Sequence, residues 1–196
     1  MTSADTFARL SAGLAEGVRH TDGLVGLMLL GSASEQAAHR RDQWSDHDFF
    51  ALAEPGAGAR VRESLGWLPE QERIVLTARE GALGFVALYD DGHVLEFAVA
   101  ERGELAGAVV GDATIAVDDA AGSAAALTAS GQERAARADG FDPANDVRLV
   151  LVKVLIGVGR ARRGELLTAG EFVRTWAVQH LVRAVRGRFA LSSSTL

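Results

Sequence analysis

The chain has 196 residues, a net charge of −6, 48% hydrophobic and 23% charged residues, and no cysteine. That composition can build one packed core with a smaller one appended, and it excludes disulfides, thiolate catalysis and cysteine-held zinc. The acidic balance argues against non-specific nucleic-acid binding, no apolar run is long enough to span a bilayer, and the first residues lack a signal-peptide pattern. A cytoplasmic protein whose partners are neither nucleic acid nor membrane is therefore expected.

Apolar residues at Phe7, Leu10, Leu14 and Val18 have helical spacing and predict a helix over Thr6 to Val18. Leu24 to Leu30 reads as a buried strand after the break at Asp22-Gly23. Ser34 to Arg40 reads as a short helix, Asp48 to Ala53 as a second strand, and Arg60 to Trp67 as another short helix. Three strand-like runs follow at Arg73 to Thr77, Leu83 to Tyr89 and His93 to Val99. Asp90-Asp91-Gly92 supplies a hairpin turn between the last two. Thr114 to Val117 predicts an edge strand. This order gives an α/β (α+β) mixed sheet over residues 1–118. Residues 119–144, rich in Ala, Gly, Ser and Asp, read as a linker with a small helix near Gly131 to Ala138. Residues 145–196 read as a helical domain: Asp146 to Arg162 and Thr168 to Arg186, joined at Arg163-Gly164, form an antiparallel hairpin.

The chemistry concentrates between Leu29 and Leu52. An apolar run ends in Gly31-Ser32, and the next begins with Asp46 and Asp48. Side chains two apart on a strand share a face, so the two carboxylates converge and call for a proton or a divalent cation between them. A Gly-Ser turn can offer N–H and hydroxyl donors to phosphate. Glu96, flanked by Leu95 and Phe97, is a charge in an apolar strand that is costly to bury unless paired or metal-bound.

These residues resemble the signature of the nucleotidyltransferase superfamily with the DNA-polymerase-β-like fold: a strand ending in Gly-Ser, then Asp-x-Asp on the next strand. Gly31, Ser32, Asp46 and Asp48 carry the match. The Asp-Gln-x-Ser-Asp-x-Asp approach from Asp42 and the later Arg-Gly-Glu segment look most like the antibiotic nucleotidyltransferases, the lincosamide group first and the aminoglycoside group next. The signature covers about a quarter of the chain, with weaker similarity over most of the rest. His47 departs from it, standing where the family often has an apolar residue.

The resemblance implies a Mg²⁺-dependent enzyme that moves a nucleoside monophosphate, AMP from ATP, to a hydroxyl of a small molecule such as a lincosamide or aminoglycoside. Asp46 and Asp48 would hold metal. Glu96, expected on a strand antiparallel to the Asp strand, would be third ligand or general base. Gly31 and Ser32 would hold the triphosphate, and Lys153, the only lysine in the sequence, would reach a phosphate or else extend to solvent. Asp90, Asp91 and Glu101 stand as outside candidates for the third acid, and Arg148 and Arg160 as weaker versions of Lys153. His39, Arg40 and Arg41 read as a solvated loop, Asp42 as a loop-orienting group, and Trp44, Trp67 and Trp176 as core or stacking residues. His180 is expected to pack with Trp176. The resembled enzymes continue with further helices, so a fragment or a shorter relative is expected, and the exposed helical hairpin points to a homodimer. The alternatives are a toxin–antitoxin type protein nucleotidyltransferase and a non-catalytic nucleotide-binding relative.

Overall fold

The computed structural model describes residues 3–138 and 142–189; the Ser-rich tail lies outside them. Contacts divide the chain into two units, Met1–Ala136 and Arg137–Leu196. The first unit runs α1 (Ser3–Arg19), β1 (Leu24–Leu30), β2 (His47–Ala53), α2 (Gly58–Val61), β3 (Ile74–Glu80), β4 (Gly84–Tyr89), β5 (Val94–Glu101), β6 (Ala113–Val117) and α3 (Ser123–Ala138). No helix among the described residues is long and apolar enough to cross a membrane.

The six strands form one sheet in the order β3-β4-β5-β2-β1-β6. Among the described residues only β2 and β5 pair in parallel, and every other pairing is antiparallel. The expectation that Glu96 lies on a strand antiparallel to the Asp strand is therefore corrected. The connector from Glu54 to Arg73 returns the chain to the end of the sheet where β2 began. Two hairpin reversals, β3 to β4 and β4 to β5, then leave β5 running with β2. An apolar strand pattern carries no sign of direction, so the sequence could not show this.

Period-two alternation divides the sheet into two faces. Leu27, Leu29, Phe49, Ala51, Phe97 and Val99 face α1, whose Phe7, Leu10, Leu14 and Val18 are all buried against them. Phe49 stacks on Phe97 with ring centroids 4.7 Å apart. On the second face Met28, Leu52 and Ala100 are covered by Leu105, Val110, Ala124 and Leu127. The rest of that face carries Asp48, Phe50, Glu96 and Ala98 along an open cleft of about 400 Å³.

Several elements differ from the sequence expectation. Ser34 to Arg40 is not one helix: Ser34 to Ala37 lie between two short 3-10 turns, Gly31–Ala33 and Ala38–Arg40. The Ser34 hydroxyl donates to the Gly31 carbonyl and accepts from the Ala37 N–H, a local bond that competes with helix. The helix expected over Arg60 to Trp67 shrinks to α2, and Trp67 and Leu68 turn into the core. The segment read as a linker forms α3 from Ser123. Asp119 accepts from the Ser123 N–H and Asp118 from Ala124 and Ala125, so these carboxylates cap a helix.

The second unit pairs α4 (Pro143–Arg162) with a helical run made of α5 (Leu166–Glu171), a π-helical turn (Phe172–Ala177) and α6 (Val178–Phe189). Asp142 caps α4 by accepting from the Asn145 N–H, with Pro143 in the first turn. His180 has a partner that the sequence did not suggest: its Nδ1 lies 2.9 Å from the buried Asp146 carboxylate.

Gly17 of α1 passes so close to the Trp67 carbonyl that a Cβ there would lie 2.0 Å from the oxygen. Gly17→Ala is expected to lower stability by about 2 kcal/mol, the range of core overpacking, as measured by urea unfolding.

Candidate metal centre

Parallel pairing of β2 with β5 sets Asp48 directly beside Glu96, and Asp46 precedes β2 by one residue. Each of the three carboxylates offers an oxygen within 4.8 Å of the others. Asp46 and Asp48 are half-buried and Glu96 is exposed, on an interior strand rather than an edge. Burial first, then the charges of Asp46 and Glu96, push the Asp48 carboxyl up to about 6. Such a cluster is short of positive charge. Three hard oxygen donors at this separation suit Mg²⁺ or Mn²⁺, which take carboxylates and keep water as further ligands.

The Gly31-Ser32 turn closes over the same carboxylates. Gly31 has φ +49°, and a Cβ on it would lie 3.4 Å from Asp48 Oδ2. Its N–H donates to the Asp112 carbonyl, so its part at the turn is steric, permitting close approach to Asp48. The Ser32 hydroxyl donates to the Asp46 carbonyl at 3.1 Å and lies 3.4 Å from Asp46 Oδ1. Both donors expected to meet a triphosphate are thus engaged with the protein.

Arg41, read from the sequence as a solvated loop residue, organises this turn. Its guanidinium donates to the carbonyls of Ser32, Ala33 and Ser34 and stands 4.0 Å over the Phe7 ring. A trans peptide points its N–H opposite its carbonyl, so with the Ser32 carbonyl on Arg41 the Ala33 N–H faces away from that side chain. An arginine in a Gln- and Arg-rich loop gave no signal of this role. Asp42 orients the loop as expected, accepting from the Trp44 N–H and the Ser45 hydroxyl.

His47 sits between the two aspartates in sequence and points to the opposite face. It is fully buried and stacks on Phe7 at 3.7 Å between centroids. Its Nε2 lies 2.8 Å from Ser11 Oγ, and its Nδ1 lies 2.7 Å from His93 Nε2. Burial, then His93 and Arg41, lower its pKa to about 3, so it is neutral. Strand alternation was the available signal that His47 is a core residue. His93 and Ser11 gave none.

The remaining candidates fall elsewhere. Asp90 and Asp91 are held by Arg73, and Glu101 accepts from the Gly58 N–H. His39 binds the Gln36 carbonyl and Arg40 pairs with Asp112. Trp67 is core, whereas Trp44 is 83% exposed. Lys153, the only lysine of the chain, belongs to the helical unit, where its Nζ lies 5.3 Å from the Trp176 ring and 5.8 Å from Phe172. Arg160 pairs with Glu165, and Arg148 is exposed. No protein-family model matches the chain, and no curated protein matches it in sequence.

The Asp48 shift sets a pH dependence. An unfolded aspartate near 3.8 and a folded one near 6 mean that the folded state holds this proton more tightly. Stability linked to Asp48 is fully present below about 3.8 and is lost as pH rises through about 6. Metal-free protein should therefore lose stability over that window, and Asp48→Asn should flatten the loss. Mg²⁺ should raise the melting temperature more at pH 7.5 than at pH 5 in the native protein and not in Asp48→Asn; thermal scans over a pH series check both.

Proposed function

We propose that the protein is a Mg²⁺-dependent nucleotidyltransferase that moves a nucleoside monophosphate from a nucleoside triphosphate, ATP in the first instance, to a hydroxyl of a small molecule. The carrying observation is the meeting of Asp46, Asp48 and Glu96 within 4.8 Å beneath the Gly31-Ser32 turn. The adenylyl donor and the antibiotic class of acceptor rest on the sequence resemblance alone.

Asp46 and Asp48 hold the cation, with Glu96 as third ligand or as base toward the acceptor hydroxyl. Bound there, Mg²⁺ supplies charge neutralisation for the triphosphate and for the developing charge of the displacement. Ser32 keeps the Asp46 carboxylate in place, and Gly31 leaves room for a phosphate oxygen near Asp48. Arg41 holds the turn by its carbonyls and so keeps the Ala33 N–H directed away from itself. Neutral His47 behind the pair adds no charge to compete with the cation.

Replacing Asp46 and Asp48 with Asn together should reduce pyrophosphate release from ATP and Mg²⁺ by about 1,000-fold or more, the several kcal/mol that metal assistance supplies. A screen of hydroxyl acceptors gives the assay. Unchanged turnover in the double variant would remove the reading. Glu96→Gln distinguishes base from ligand: loss of turnover with Mg²⁺ affinity retained, measured by calorimetry, assigns the base.

A further inference from the structure

The two edges of the sheet are treated differently. At one edge β6 is tied to its surroundings: the Arg19 guanidinium donates to the Ala116 carbonyl, and the Glu35 N–H donates to the Thr114 hydroxyl. At the other edge β3 pairs with β4 alone among the described residues. Every β3 residue after Ile74 is exposed, Val75 at 62% and Leu76 at 52%. From Leu76 to Glu80 its pairing with β4 is regular, so its outer side presents an even row of N–H and C=O groups. The strand holds no proline or lysine, and its charges are its last two residues, Arg79 and Glu80. An edge of this kind is a template for another strand.

The charges along β3 say which strand fits. Arg79 stands opposite Phe85 in the ladder, and its guanidinium lies 5.0 Å over that ring, on the face that packs α1. It donates to the Ala82 carbonyl at 3.4 Å, and no described carboxylate pairs with it. At the beginning of β3 the balance is reversed. Arg73, beside the buried Tyr89 ring of the same face, pairs with Glu70, Asp90 and Asp91, and Arg9 of α1 pairs with Glu70. Three carboxylates there meet two guanidinium groups, and the exposed Glu72 adds a further negative charge. An edge that is acidic where it begins and carries a free cation where it ends is complementary to itself once reversed.

We propose that β3 is the docking edge for a second copy of this chain, paired antiparallel about a two-fold axis at Thr77, so that the two sheets join into one. In this register the partner's Thr77 lies opposite Thr77, the partner's Ala78 opposite Leu76, and the partner's Arg79 opposite Val75, close to the acidic group around Arg73. An axis at Ala78 would make the two Arg79 side chains diagonal neighbours, and an axis at Leu76 would set Glu80 against Glu72, so charge selects Thr77. Two seven-residue edges bury little surface, and the dimer is accordingly weak, with a dissociation constant in the micromolar range. This pairing is independent of nucleotidyl transfer.

Sedimentation of the full chain over a micromolar dilution series should show monomer and dimer in exchange. Leu76→Lys, which sets a charge in the middle of the row, should leave monomer alone. Arg79→Glu should raise the dimer dissociation constant about tenfold, the worth of two exposed ion pairs. Thermal scans confirm that both variants fold. The native chain has no cysteine, so Thr77→Cys carries one thiol at the axis and should give a disulfide-linked dimer under mild oxidation. Leu155→Cys, on the exposed face of the helical unit, should not. Native protein that stays monomeric throughout overturns the proposal, including protein whose β3 edge carries a co-purified extended peptide. A dimer that neither Leu76→Lys nor Arg79→Glu weakens refutes it, as does cross-linking through Leu155→Cys without cross-linking through Thr77→Cys.

Discussion

The parallel pairing of β2 with β5 is the constraint on which this site depends. It sets Asp48 beside Glu96 in register, and the residue before β2 brings Asp46 to the same place. Burial of a carboxylate, and then like charges this close, oppose the fold, as the raised Asp48 pKa records. The packing that holds them lies one residue further along, on the opposite face. There Phe49 stacks on Phe97 at 4.7 Å, Phe85 stacks on Phe97 at 5.6 Å, and Trp67 closes edge-on against both Phe49 and Phe97. Each aromatic pair contributes about 1 kcal/mol beyond its buried area. The same two strands thus carry the repulsion on one side and a rigid aromatic layer on the other.

The segment between β1 and β2 is polar and short of regular structure, yet it is tightly bonded. Arg41 gathers three successive carbonyls, Asp42 closes the Trp44–Ser45 turn, and Ser32 ties the beginning of the loop to Asp46 at its end. The loop is therefore organised around the carboxylates rather than draped over them. The helical unit has a different balance. Asp146 binds His180 inside it, but Leu151, Leu155 and Leu167 stand 66%, 72% and 89% exposed.

Strand and helix positions were readable from apolar runs and their spacing. Leu24–Leu30 appeared as read, α1 and the three later strands differ from their sequence boundaries only at the ends, and Thr114 to Val117 proved to be an edge strand. The misreadings occurred where side chains bond the backbone locally. Ser34 breaks a helix into turns, while Asp118 and Asp119 begin one where composition suggested a linker.

By itself the sequence determined the alternation: Asp46, Asp48 and Glu96 as charges set among apolar strands, the Gly-Ser turn before them, and a second, helical part of the chain. Only the tertiary structure decided that the Glu96 strand runs with the Asp strand, that Arg41 holds the turn, and that Ser11, His47 and His93 join in one hydrogen-bonded chain. The physical reason is range. Periodicity and turn chemistry act over a few residues and leave their mark in order along the chain. Strand direction, and the meeting of Ser11 with His47 or His47 with His93, depend on how distant segments return to one another, and no local pattern records that.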